Sequence, residues 1–314
     1  MLYFCVGKIK AGLGLPQREE LYNMSKRKFG DRKDGRRIRD LDGLHCIMMH
    51  LMPKRTESEV YLEFPMDVTD LLPYIEEQNQ MHPEYKTTIF HCIVTAVARV
   101  VSMRPYLNRF ICGRKLYERN DISLSFIAKR KFADHSEESL MTLITKEDMN
   151  LDYVTRRIVG DVKELRESRG SNDFDGVIDA IGHLPNPILH VFIGLLQRLS
   201  AMGKLPDVLT QGDTNHTTVL LSNLGSIKCP SCYHHLNNYG TNSIMITVGV
   251  LRKELRVMPD GTTKPRDVLT LGFTADERIA DGFYFAKSLK LAEYLLQHPQ
   301  LLEVPLKEAI EYDG

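Results

Sequence analysis

Residues 269–297, LTLGFTADERIADGFYFAKSLKLAEYLLQ, restrict the fold of this chain more than any other stretch. Leu269, Leu271 and Phe273 alternate as they would in a strand with one buried face. Phe285, Leu289, Ala292 and Leu296 then recur at helical spacing. Between the two periodicities lies the run Asp276-Glu277-Arg278-Ile279-Ala280-Asp281-Gly282. A strand that passes through a charged turn into a long amphipathic helix predicts an α/β architecture with the helix packed on a sheet. Turns of this kind hold reactive groups well, because the two rigid elements fix them.

The turn resembles the His-x-x-x-Asp-Gly signature of the CoA-dependent acyltransferases, the family of chloramphenicol acetyltransferase and of the catalytic domain of 2-oxoacid dehydrogenase E2 subunits. E2 chains typically read Asp-His-Arg-Val-Ile-Asp-Gly here, and Asp276, Arg278, Asp281 and Gly282 fall in register. Glu277 occupies the position of the catalytic histidine. Two further segments carry the likeness: RPYLN at 104–108 and Ser222-Asn223-Leu224-Gly225. The resemblance extends over about residues 35 to 304 and implies a two-layer sandwich with a large mixed β-sheet. It also implies a homotrimer with coenzyme A entering a channel between subunits, and an acyl group passing between CoA and an acceptor. Ser222 falls where the family places a hydroxyl that donates to the tetrahedral oxyanion, and one such donor is worth about 3 kcal/mol. An N-terminal arginine of the family pairs with the aspartate of the Asp-Gly turn. Arg36, Arg37 and Arg39 are the candidates for Asp281, and Arg278 is a candidate partner for Glu277. A non-catalytic CoA-binding or trimeric scaffold protein of the same fold is the alternative.

Composition limits the other classes. Lys plus Arg and Asp plus Glu each total 41 in 314 residues, so no overall field favours nucleic acid or a membrane. Six scattered cysteines do not read as a disulfide framework, and a reduced, cytoplasmic setting is expected. The opening residues lack the charged and apolar regions of a signal peptide. Residues 1–30 are taken as a leader or arm and 31–314 as one acyltransferase-like domain, with the charge-rich SKRKFGDRKDGRRIRD at 25–40 across the boundary. Neither a lipoyl lysine motif nor a long Ala/Pro linker is found.

Other segments yield local expectations. Residues 59–68 read as a strand and 69–80 as a helix. Phe90, Ile93, Val94, Val97, Val100 and Val101 mark a helix with Thr87 or Thr88 as N-cap. Residues 105–131 suggest two strands around a turn, 136–169 a strand and a charged helix, and 168–176 a loop. The apolar run 187–202 predicts a helix buried in a core or between subunits. Residues 217–225 and 242–251 read as strands, and 259–262 as a hairpin turn. Cys229-Pro-Ser-Cys232-Tyr-His-His offers a single CxxC with two histidines, too little for a zinc site, and no metal is expected. His234 and His235 are candidate substitute bases.

Overall fold

The computed structural model describes residues 28–129, 138–167, 181–206 and 213–312. The loop expected at 168–176 and residues 1–27 of the leader expected at 1–30 lie outside them.

A 14-residue strand, β10 (Thr263–Asp276), forms the spine of the molecule. It pairs antiparallel with β2 (Glu59–Asp67) on one side and with β8 (Ile244–Val248) on the other. The sheet continues through β7 (Val219–Asn223) and β5 (Ser123–Lys129) to β6 (Glu138–Ile144). The β8–β7 and β7–β5 pairs are parallel, so the sheet is mixed. The first half of β10 also pairs with β9 (Arg252–Val257), forming the hairpin expected at 259–262.

One face of this sheet is apolar because its inward positions alternate. Leu124, Phe126, Val219, Leu221, Ile244, Ile246, Val248, Leu269, Leu271, Phe273 and Ala275 are all buried in one core cluster. Helices α3 (Ile89–Met103), α4 (Leu151–Glu167) and α6 (Gly282–Gln297) supply the second layer. Thr88 is the N-cap of α3, its hydroxyl accepting from the His91 N–H. Helix α2 (Leu71–Met81) follows β2, near its expected place.

One expectation needs correction. Residues 105–131 form three strands rather than two. The hairpin β3 (Arg109–Cys112) and β4 (Lys115–Arg119) joins β1 (Gly35–Arg37) in a separate small sheet, while β5 enters the large one. The reason is local: Gly113 (φ 57°) and Arg114 (φ 58°) make a tight left-handed turn that closes the hairpin before β5 begins. The apolar helix α5 (Asn186–Ala201) has the expected extent; within the protomer only Leu196 and Ser200 are buried, so the core covers one part of it. Among the described residues no helix is long and apolar enough to cross a membrane.

The second face of the sheet is covered by a loop. The Cys232 N–H donates to Thr247 Oγ1 (3.2 Å), and the Thr247 hydroxyl returns a bond to the Cys232 carbonyl. Gly272 sits directly beneath that carbonyl, where a Cβ would collide with it. The CPSCYHH run is thereby occupied in lining the sheet, and no metal-binding group of three or more side chains occurs among the described residues.

Candidate active site

At the end of β10 the chain leaves the sheet through a turn held by a buried carboxylate. Asp276 is fully buried and accepts from Arg278 twice, at Nε (2.8 Å) and Nη2 (2.7 Å). The Ser58 hydroxyl (3.0 Å) and the Arg278 N–H (3.1 Å) complete its partners, and Arg55 Nε stands 3.8 Å away. Arg278 also donates from Nη1 to the Met52 carbonyl (2.6 Å), at the end of helix α1 (Gly43–Leu51). Arg55 donates to the carbonyls of Asn237, Ile111 and Gly240, tying the loop over the sheet to the turn. Burial pushes the Arg55 guanidinium below its ordinary pKa, against the pull of Asp276. Buried ions persist only when paired and hydrogen-bonded; Asp276 and Arg278 meet this condition and fix the turn, while Arg55 Nε is buried with no hydrogen bond and only the ion contact to Asp276.

Glu277 is the exception. Its N–H donates to the Ser58 carbonyl (2.9 Å), but its half-buried carboxylate has no hydrogen-bond or ion-pair partner among the described residues. Arg278, a candidate partner from the sequence, is committed to Asp276. Ile279 and Ala280 are buried and anchor the second half of the turn. Asp281 is the N-cap of α6 and accepts from the Tyr284 N–H (2.7 Å). Within one protomer the three candidate arginines stay at β1: Arg39 pairs with Asp31 (2.9 Å), the Arg37 N–H donates to the same carboxylate (3.1 Å), and Arg36 lies on the strand between. Gly282 has open space where a Cβ would stand.

Ser222 lies at the other end of the sheet. The register runs Ser222–Thr247–Gly272 across β7, β8 and β10, and Glu277 follows five residues after Gly272. Two strand spacings and five residue rises separate their Cα positions by on the order of 20 Å. Within a protomer the two side chains cannot act on one carbonyl. Ser222 is half-buried on the face opposite the core, and the short 3₁₀ turn Leu224–Ile227 follows it.

His234 and His235 are exposed, stacked on one another at 4.9 Å, and each ring nitrogen Nδ1 contacts a backbone carbonyl. The next residue, Leu236, donates its N–H to Glu59, the cross-strand neighbour of Asp276. These histidines therefore belong to the Glu277 end of the sheet.

The sequence reading passes over Arg55, Ser58 and Glu59, because nothing in a strand-edge segment announces a long-range partner. It also passes over His216, six positions before Ser222. His216 Nδ1 contacts Asp213 (2.9 Å) in a buried pair, and its Nε2 is buried without a partner. Their separation, three residues within a 3₁₀ turn, was the available signal.

Comparison with known proteins agrees with this architecture. Residues 201–304 match the family model for the 2-oxoacid dehydrogenases acyltransferase (catalytic domain). The lipoamide acyltransferase component of the branched-chain α-keto acid dehydrogenase complex of Bacillus subtilis (strain 168) is 21% identical over 252 residues, 78% of this chain and 48% of that protein. The chain thus spans about half the length of the curated relative it matches. The structure of a probable dihydrolipoamide acetyltransferase from Listeria monocytogenes superposes with a TM-score of 0.56 at 17% identity, covering 83% of this chain and 94% of that one. That of Azotobacter vinelandii dihydrolipoamide acetyltransferase, studied for the roles of a serine, a histidine and an asparagine in its catalysis, gives 0.56 at 14% identity, covering 86% and 95%. In fold, and in the sequence of residues 201–304, the chain is similar to the CoA-dependent acyltransferases of the 2-oxoacid dehydrogenase E2 type.

Proposed function

We propose that the protein transfers an acyl group between coenzyme A and an acceptor, at a site formed between protomers of a homotrimer. The observation that carries this reading is the Glu277 carboxylate. It has no partner among the described residues, on a turn where Asp276, Arg278 and Asp281 all have one, and the resemblance sets it at the position of the family's histidine. The Azotobacter protein's histidine and asparagine stand four positions apart, as Glu277 and Asp281 do here. The separation of Ser222 from Glu277 within a chain supports assembly from two protomers. So do the exposed Leu44, Ile47 and Leu51 of α1, whose C-terminal end touches Arg278 through Met52.

In this reading Glu277 accepts the proton of the CoA thiol as its sulfur attacks the acyl carbonyl. Ser222 of the neighbouring protomer donates its hydroxyl to the oxyanion that forms. The intermediate collapses, the bond to the acceptor atom breaks, and Glu277 returns the proton to that atom. Asp281 holds the turn against the first residues of α6. A glutamate carboxylate is ordinarily a weaker base than imidazole by about two pK units, or roughly 3 kcal/mol. That deficit favours a second reading, in which the frame binds CoA or an acyl group without turnover.

Thiol release from a panel of acyl-CoA substrates separates the two. Loss of activity in Glu277→Gln, with a fall of about a hundredfold or more in Ser222→Ala, supports catalysis. Activity that appears only in Glu277→His identifies a retired site. CoA binding with no turnover in any variant supports the non-catalytic reading.

A further inference from the structure

Helix α5 carries two apolar stripes, and the fold uses one of them. Leu196 and Ser200 are buried, the Ser200 carbonyl accepts from Arg32, and Ala201 packs on the Phe110–Cys112–Tyr117 cluster of the small sheet. On the other side Ile188 (55% exposed), Val191 (71%), Leu195 (51%) and Met202 (55%) follow one another at helical spacing and face solvent. Contiguous exposed apolar surface of this kind marks an interaction site.

The charge around the stripe indicates the partner. No Asp or Glu occurs in the sequence between Asp179 and Asp207, while His190, Arg198 and Lys204 do, in a chain whose charges balance overall. The 113–115 turn abuts the end of the helix, Ala201 lying 3.5 Å from where a Cβ on Gly113 would stand, so Arg114 and Lys115 join the same edge. Arg114, Lys115, Arg198 and Lys204 are all exposed, and none has a carboxylate partner among the described residues. A two-fold contact between two copies of this face would bring the same unbalanced cations together, which opposes that pairing. An anionic lipid surface neutralises them and takes up the apolar stripe. At 16 residues the helix is about 24 Å long and lies on a bilayer rather than spanning it.

We propose that α5 docks flat on an anionic membrane surface, its Ile188–Val191–Leu195–Met202 stripe in the acyl boundary and its cationic edge among the headgroups. This is independent of the acyl-transfer reading. The test is sedimentation of the full chain with phosphatidylcholine vesicles, with and without phosphatidylglycerol. Binding is expected only with the anionic lipid, and it should fall sharply at about 0.5 M salt, where screening is strong. Val191→Asp with Leu195→Asp, and separately Arg198→Glu with Lys204→Glu, should each lower the partition coefficient tenfold or more while leaving the melting temperature unchanged. Absence of binding, or binding indifferent to lipid charge and salt, overturns the proposal. So does an oligomer that dissociates on Val191→Asp without vesicle binding, which would assign the face to a second copy. A lowered melting temperature without vesicle binding would assign it to the chain's own cover, and also overturns it.

Discussion

The turn after β10 and the helix α5 treat their side chains in opposite ways. At the turn, Asp276 and Arg278 are almost fully buried ions whose polar atoms meet partners on β10, on α1 and on the segment before β2. Along α5, the apolar side chains of Ile188, Val191, Leu195 and Met202 are exposed. The first arrangement spends desolvation of ions to hold one backbone geometry, and the second leaves free energy unrealised until a partner arrives. Rigidity is thus concentrated at the turn that carries Glu277, and incomplete burial along the outward stripe of α5.

The largest effect should come from unbalancing the buried ions. Arg278→Leu leaves the Asp276 carboxylate buried beside a distant Arg55, and loss of one partner of such a pair costs about 3–5 kcal/mol. Urea denaturation would measure it. A cost below about 1 kcal/mol would mean the turn is not locked, and the contrast with α5 would fail.

His91 tests the same principle with a group that is buried and nearly alone. Its Nδ1 accepts from the Thr88 N–H (3.2 Å), and burial pushes its pKa down to about 4. The unfolded imidazole, near 6.5, binds a proton first as pH falls, so the unfolded state is favoured between those values. The contribution is complete above about pH 6.5, is lost on going to about pH 4, and is constant below that. The loss amounts to about 3 kcal/mol. His91→Gln, whose amide oxygen can still accept from Thr88, should flatten that part of the stability–pH curve.

A sharper test of the helix uses two adjacent leucines. Leu196 faces the body and Leu195 faces solvent. Leu196→Ala should cost about 2 kcal/mol or more, whereas Leu195→Ala should stay within about 0.5 kcal/mol. Equal losses would show that the outward stripe is covered in the free protein.

Periodicity reveals the elements on either side of the turn because each signal is confined to one segment: alternation in 269–273 and a helical repeat from Phe285 to Leu296. The partners of the turn are less accessible. Asp276 meets Ser58 and Arg55 across more than two hundred positions, and no local pattern encodes such a meeting. Arg278 was a plausible partner for Glu277 by proximity alone, yet two parallel N–H donors match the buried carboxylate of Asp276 better. For helix α5 the sequence leaves two places of burial open, the core and a subunit boundary, and within the protomer the core takes only Leu196 and Ser200. Composition shows that a helix is apolar on several sides, but not how many of those sides the rest of the chain reaches. The pattern at 105–131 shows two strands rather than three because the turn at Gly113 carries few of the residues that usually announce one.

The smallest expected effect on stability belongs to Glu277→Gln, and that smallness is informative. The substitution keeps the side chain's shape and the backbone bond to Ser58, and removes a charge that no described group engages. Stability should therefore stay within about 0.5 kcal/mol of the parent, although both sequence neighbours of Glu277 belong to a network whose disruption costs several times more. If folding is untouched while thiol release collapses, the carboxylate serves the reaction and not the fold. A destabilisation of 1 kcal/mol or more would show that the charge is already paired in the assembled protein. A paired carboxylate is a poorer proton acceptor. The case for Glu277 as the working base would then pass to the imidazoles of the neighbouring loop, His234 and His235.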